Sequence, residues 1–228
     1  MWEEPCLSYG KGSGTLFFAG CNLRCVFCQN SEISKNLKGK TIDIDTLCYE
    51  MLKLQDMGAV NINLVTPTHF SMQILKALEK VKHKLNIPVV YNCSGYESVE
   101  TLRLFEKYID IYLPDVKYYS HIYSKKYSSC PDYFDKAKSA IIEMHRQVGY
   151  ATFDKNGHMT RGLLVRHLVL PSLYKDSMKI FDEIARIFDV NKMAISIMSQ
   201  YFPTENVKEY PEINRRVTSL EYNRVVEH

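Results

Sequence analysis

The sequence has no run of the eighteen or so consecutive apolar residues that a membrane helix needs. Residues 1–14 lack the charged-then-apolar pattern of a secretory signal. There is no basic tail and no block of like charge: 29 Lys and Arg against 26 Asp and Glu leave a formal charge of only +3. Composition therefore gives no argument for a nucleic-acid partner. Stretches rich in Pro, Gly or Ser that would mark a linker are missing as well, so the 228 residues are read as one domain over 1–228. Seven cysteines are too few and too unevenly placed for a disulfide scaffold, and the number is odd. Together these absences predict a soluble, cytosolic protein that keeps its thiols reduced.

What is present alternates. Short apolar runs at 15–19, 60–65, 88–93, 109–116, 163–170 and 194–198 have the length of buried strands and end at Gly or Pro in several cases. Between them lie segments with helical spacing over 44–57, 72–85, 96–108, 133–148 and 176–188, with another near 220–226. Strands alternating with helices predict βα units on a parallel sheet. An open or closed (βα) barrel and a doubly wound sheet both fit. In either, functional residues belong at the C-terminal edge of the strands. Gly10, Gly12 and Gly14 precede a strand and open no helix, so they do not predict a phosphate cradle. His145 and Arg146 read as residues of an exposed helical face.

Directly after the first strand comes Ala-Gly-Cys21-Asn-Leu-Arg-Cys25-Val-Phe-Cys28. Three thiolates in one loop can hold a small inorganic object, and iron–sulfur clusters are held by such thiolates. Four cysteines would saturate a 4Fe-4S cluster, whereas three leave one iron open to a chelating amino acid. The competing reading is structural zinc of the Cys3His type. Its fourth ligand should lie nearby, and the nearest histidine in the chain, His69, is a strand and a helix away.

The spacing Cys21-x3-Cys25-x-Phe27-Cys28 resembles the signature of the radical S-adenosylmethionine (SAM) superfamily. The stretches NINLVTPTHF, YNCSGYES, IYLPDVKYY, RHLVLP and QYFP are similar to proteins related to pyruvate formate-lyase activating enzyme. The resemblance implies a partial (βα)6 TIM-like barrel, a 4Fe-4S cluster on Cys21, Cys25 and Cys28, and SAM chelating the open iron. It further implies reductive cleavage of SAM to a 5′-deoxyadenosyl radical that abstracts hydrogen, with reduced flavodoxin or ferredoxin as electron donor. A glycine on a partner enzyme is one substrate class; another peptide, RNA or a metabolite is the alternative, and a non-catalytic metal-binding module is the contrasting class. Relatives also carry an N-terminal extension with further cysteines and a longer C-terminal helix, which this chain is expected to lack.

Individual positions carry over as expectations. Phe27 corresponds to the aromatic whose neighbourhood contacts the adenine; packing of the loop on the core explains it equally. Thr66-Pro67-Thr68 stand where the superfamily has a glycine-rich acidic motif for the SAM amino group, so Thr66 and Thr68 would have to accept its hydrogen bonds without a carboxylate. Asn92 and Ser94 end the third strand within reach of the ribose, or serve as turn residues. Asp115-x-Lys117 resembles an Asp-x-Lys pair of the activating enzymes, and alternate strand residues face one way; a rim salt bridge is the other reading. Arg166 and His167 are adjacent on the fifth strand, so only one points inward, where a cation could meet the SAM carboxylate. Gln200 stands where the activating enzyme has a histidine. No residue is singled out as catalytic.

Overall fold

The computed structural model describes residues 4–8 and 10–228; Met1, Trp2, Glu3 and Tyr9 lie outside the described residues. The elements are α1 (Pro5–Ser8), β1 (Gly14–Phe17), α2 (Ser31–Ser34), α3 (Ile44–Asp56), β2 (Ile62–Val65), α4 (Ser71–Val81), β3 (Val89–Cys93), α5 (Val99–Leu104), β4 (Ile111–Pro114), α6 (His121–Ser128), α7 (Tyr133–Val148), β5 (Thr152–Phe153), β6 (Met159–Leu168), α8 (Tyr174–Ile187), β7 (Ala194–Met198) and α9 (Ser219–Val226).

Six strands run parallel in the order β1, β2, β3, β4, β6, β7. Every step between them is sequential, which makes this the open (βα)6 barrel rather than a doubly wound sheet. β1 and β7 are its two ends. Short β5 pairs antiparallel with the start of β6, an element the apolar runs did not predict.

Alternation along the strands builds two cores. Ile62, Leu64, Val89, Tyr91, Tyr112, Leu163 and Val165 face outward, packed with Met51 of α3, Ile74 and Leu78 of α4, Ile141 and Met144 of α7 and Ile180 of α8. Val90, Ile111, Leu113 and Leu164 face inward and close the floor with Leu7 and Met159. Two helix starts are fixed by side-chain caps. Asp43 caps α3 by accepting the Thr46 N–H, and Ser98 caps α5 by accepting that of Thr101. α7 ends at Gly149, at φ +73.

Two sequence expectations are corrected. The segment 96–108 is helical only over 99–104, because residues 94–98 form a polar loop at the mouth of the barrel. His145 does not sit on an exposed face: its ring packs on Tyr150 and Phe188. Among the described residues no helix is long and apolar enough to cross a membrane.

Candidate active site

The cysteine loop crosses the C-terminal edge of the sheet and is tied down from several sides. Its Arg24 and Val26 N–H groups donate to the carbonyls of Ser128 and Tyr127 at the end of α6. Thr204 donates its hydroxyl to the Val26 carbonyl at 3.0 Å. Phe27 is buried, edge-on to Tyr118 and Tyr201 with ring centroids 6.4 and 5.9 Å away. Its ring thus anchors the loop on the core.

All three cysteines are free thiols. Cys25 is buried and accepts a hydrogen bond from Ser128 Oγ at 3.0 Å. Burial pushes its thiol up to about 11, although Lys117 and the Ser128 hydroxyl pull the other way. Burial also raises Cys21, which the Leu23 N–H and Lys117 partly offset. Cys28 Sγ lies 3.2 Å from Ser34 Oγ. The three thiols stand on one short loop, near enough for their charges to act on one another. Zinc needs its donors within bonding distance of one ion; among the described residues no three His, Cys, Asp or Glu side chains gather that closely. An iron–sulfur cube is larger, and its thiolates bind separate irons, so three soft donors on one loop suit it. His69, distant along the chain, is near in space: a Cβ on Gly20 would stand 2.7 Å from its ring. Chain separation was therefore a poor guide to that histidine's position.

A charged group built from strand ends lies near enough for its Lys117 to act on Cys21 and Cys25. Asp115 accepts from Arg166 Nε at 2.8 Å and from Lys117 Nζ at 2.6 Å. Arg166 also donates to Asn92 Oδ1 at 2.9 Å. Burial alone would raise the Asp115 carboxyl, but Arg166 and Lys117 outweigh it and hold the group below its ordinary value. All three charged side chains are about four-fifths buried (20% of Asp115 and 18% each of Lys117 and Arg166 exposed). The strand alternation is thereby resolved. Arg166 shares the inward face with Leu164. His167 turns outward, with its ring nitrogens 2.6 Å from the Val116 carbonyl and 2.8 Å from Ser177 Oγ.

Tyr133, at the first turn of α7, holds this group in place. Its hydroxyl is shared between the carbonyls of Ser94 and Asp115, each 2.7 Å away, and accepts the Lys117 N–H at 3.0 Å. Gly95, at φ +78, permits the close approach, since a Cβ there would stand 2.4 Å from the Asp115 carbonyl oxygen. Asp176 fixes the following turn by accepting the N–H groups of Tyr119 and Ser120, both at 2.9 Å. Tyr133, Ser128 and Asp176 were not found from sequence. Nothing local marks them, because their partners are far along the chain.

The remaining expected residues fall on the same rim. Ser94 donates to Asn22 Oδ1 at 3.2 Å, linking the third strand to the cysteine loop. Thr66 adopts a left-handed conformation (φ +57) and donates its N–H to the Asn92 carbonyl. Thr68 donates its hydroxyl to Glu97 Oε1 at 2.7 Å. Gln200, just after β7, lines a cavity of about 480 Å³ together with Gln29, next to Cys28, and Tyr201, Phe202, Arg216 and Tyr222.

Two buried groups of opposite behaviour give a stability prediction. Burial lowers His167 from 6.5 to about 4, so the unfolded chain takes up that proton first and acidification from 6.5 to 4 costs stability. Burial raises Glu97 from 4.5 to about 7, so the unfolded chain releases that proton first and stability falls as pH rises from 4.5 to 7. The two oppose each other. In denaturant unfolding at pH 7 and pH 4.5, Glu97→Gln should lose about 2–3 kcal/mol more than the wild type on acidification, and His167→Gln about 2–3 kcal/mol less. Parallel changes in all three proteins would contradict the assignments.

Comparison with known proteins agrees with this geometry. The sequence model of the Radical SAM superfamily matches residues 15–153. The "Uncharacterized protein MJ0674" of Methanocaldococcus jannaschii is 34% identical over 224 residues, covering 94% of this chain and 61% of that protein. The chain therefore spans about three-fifths of that relative's length. Among solved structures, SuiB of Streptococcus suis superposes with a TM-score of 0.57 at 14% identity, over 95% of this chain and 45% of that one. SuiB bound to S-adenosylmethionine gives 0.52 at 12% identity, over 88% and 50%. The FeFe-hydrogenase maturase HydG of Carboxydothermus hydrogenoformans gives 0.57 at 13%, over 96% and 51%. At such identities the structural likeness is one of fold.

Proposed function

The chain belongs to the radical SAM superfamily, whose members use a 4Fe-4S cluster and SAM, and from that premise we propose that Cys21, Cys25 and Cys28 hold the cluster and that the barrel mouth binds SAM. A cluster held by these three thiols would supply the electron for reductive cleavage of SAM, and so the hydrogen-abstracting chemistry, while the protein supplies placement. The observation that carries this reading is the placement of the three thiols on one anchored loop, with Lys117 of the Asp115–Lys117–Arg166 group near enough for its charge to act on Cys25.

The chain's own residues supply binding, orientation and exclusion of water. Ser128, Tyr127 and Phe27 fix the cysteine loop. Lys117 and Arg166 offer cationic donors for the SAM carboxylate, already oriented by Asp115 and Asn92. Leu23, Phe27, Tyr118, Tyr127 and Leu170 pack as an apolar wall behind the loop, which strengthens every charge interaction in front of it.

The finer assignment is activation of a glycyl-radical partner enzyme. The Asp115-x-Lys117 pair supports it, as do the sheet ends β1 and β7, each paired on one side only among the described residues, since an open side admits a loop of another protein. Reduced flavodoxin or ferredoxin is the electron donor in this reading, and the cytoplasm the compartment that supplies it. Anaerobic reconstitution with iron and sulfide, followed by SAM and dithionite, should give 5′-deoxyadenosine and methionine in equal amounts. Tight binding of one zinc with no 5′-deoxyadenosine would overturn the enzymatic reading. A glycyl-radical signal in a candidate partner after incubation would support the finer one.

A further inference from the structure

The open barrel has two sheet edges, and the fold treats them differently. At β7 the Met198 carbonyl accepts the Val169 N–H, so alternation turns the Ile197 carbonyl away from β6. Tyr222 of α9 covers that group by donating its hydroxyl to it at 3.0 Å. At β1 the Gly14 and Phe18 N–H groups donate to the Asn61 and Val65 carbonyls on the β2 side. Alternation then turns the N–H and C=O groups of Thr15 and Phe17 the other way, and among the described residues β1 pairs with β2 alone. One edge is covered; the other presents two backbone donors and two acceptors.

Nothing in β1 discourages a further strand. Proteins protect exposed edges with proline, charge or a covering element, and Gly14-Thr15-Leu16-Phe17 carries neither proline nor charge. Leu16 and Phe18 pack on the outer core, so Phe17 projects to the barrel side, where it is 40% exposed. Leu37, 65% exposed, lies against Gly20 just past the strand. Two apolar side chains thus stand beside the free backbone groups, where the side chains of an added strand would meet them.

The edge also leads to the chemistry and carries a charge preference. β1 runs through Phe18, Ala19 and Gly20 directly into Cys21, so a chain laid along it is led to the cysteine loop. A Cβ added to Gly39 would stand 3.5 Å from Ala19, which brings residues 38–40 to the same end of the strand. The stretch 33–42 holds Lys35, Lys38 and Lys40 and no acid. Lys38 is paired with Glu32; among the described residues Lys35 and Lys40 have no acidic partner. A regular row of amide donors and acceptors is the property of an extended polypeptide, and neither RNA nor a small metabolite offers it.

Resting on the radical SAM reading above, we propose that the substrate is a polypeptide, that an extended acidic segment of it adds to β1 as a further strand, and that Lys35 and Lys40 receive its acidic side chains. Backbone pairing with Thr15 and Phe17 supplies affinity with little demand on sequence, while Phe17 and Leu37 favour apolar residues at alternate positions. The cover that Tyr222 gives β7 leaves β1 as the edge that accepts a guest.

The test uses the full chain, anaerobic and cluster-loaded, with a capped nine-residue peptide of alternating valine and glutamate. Affinity is read by fluorescence polarisation and pairing by amide hydrogen exchange. Binding should slow exchange at Thr15 and Phe17 about tenfold and leave Leu16, already turned to β2, unchanged. A version of the peptide with ester oxygens in place of its amide N–H groups should bind about tenfold more weakly. Thr15→Pro removes an outward N–H without touching the β2 ladder and should cost a similar factor; the ester peptide carries the comparison if that variant fails to fold. Lysine in place of glutamate should weaken binding about fivefold at low salt, with the difference lost at high salt. Binding that leaves Thr15 and Phe17 unprotected, or no binding of either charge version up to about 1 mM, overturns the proposal. Protection of these amides that rises with protein concentration in the absence of peptide assigns the edge to a second copy and overturns it too. Formation of 5′-deoxyadenosine from SAM and dithionite is measured separately. Its presence without edge pairing overturns this proposal alone, whereas its absence alongside edge pairing overturns the radical reading and with it the peptide's role as substrate.

Discussion

Cys25→Ala abolishes cluster uptake and SAM cleavage together, whereas Cys48→Ala leaves both intact. The expectation follows from where each thiol sits. Cys25 is near enough to Cys21 and Cys28 for their charges to act on it and is buried under the Ser128 hydroxyl. Cys48 packs in the outer helical layer, where its thiol donates to the Ala77 carbonyl at 3.6 Å. A cube held by two thiolates loses a ligand and exposes a second iron, so partial loading is not a stable compromise. The loss should be complete to the limit of detection, read by iron and sulfide content, by the visible absorption of the cluster and by 5′-deoxyadenosine after dithionite. Cys130 is the stricter control. It belongs to the same apolar cluster as Leu23, Cys25 and Phe27, yet its thiol points to Asp132 Oδ1 at 3.6 Å. Cys130→Ala should therefore load its cluster, with some loss of stability from the cavity of about 1 kcal/mol. Loss of the cluster in Cys130→Ala equal to that in Cys25→Ala would show that the division of the cysteines is wrong.

The parts of this molecule that sequence made legible are those fixed by local pattern. α3 and α7 were readable from apolar spacing, and α7 also from Gly149 at its end. The strands were readable because both faces are covered, giving continuous apolar runs. The cysteine loop was readable because its three donors lie in one short segment. By contrast, α6 was missed. Ile122, Tyr123 and Tyr127 form no clear stripe, and the helix is held instead by its cap at Ser120 and by its contacts with the cysteine loop. The β5–β6 hairpin was missed although Asn156-Gly157 between Phe153 and Met159 is a turn signal that could have found it.

In the site, the same division holds. Alternation said that Arg166 and His167 face opposite ways; which one faces inward depends on Ser177 and Phe181 of α8, which only packing brings to His167. Glu97 reads in sequence as a polar residue after a Ser-Gly turn. Its burial comes from Thr68 and Tyr91, and no period relates it to Thr68, twenty-nine positions away. Chemistry written in one loop is legible; chemistry assembled from several strand ends is not.

Asp115→Asn is expected to be the most damaging single change outside the cysteines, because one carboxylate serves two cations. The substitution keeps size and shape but removes the charge, leaving Lys117 and Arg166 facing each other across a site about four-fifths buried. Removing one member of a buried charge group costs about 3–5 kcal/mol; the remaining exposure reduces the expected loss here to about 2–4 kcal/mol. Arg166 keeps its bond to Asn92 Oδ1, so the larger displacement falls on Lys117, whose other hold is only its backbone N–H on Tyr133. SAM affinity should fall at least tenfold if, as proposed, Lys117 and Arg166 meet its carboxylate, since both lose their orientation. Lys138→Met, which breaks the ion pair with Glu183 on the helical surface, should change neither quantity measurably. A rim salt bridge would behave differently: Asp115→Asn would then resemble Lys138→Met in both unfolding and SAM binding. Wild-type-like stability and affinity in Asp115→Asn would remove the charged group from the site and leave the cysteine loop without its charged neighbour.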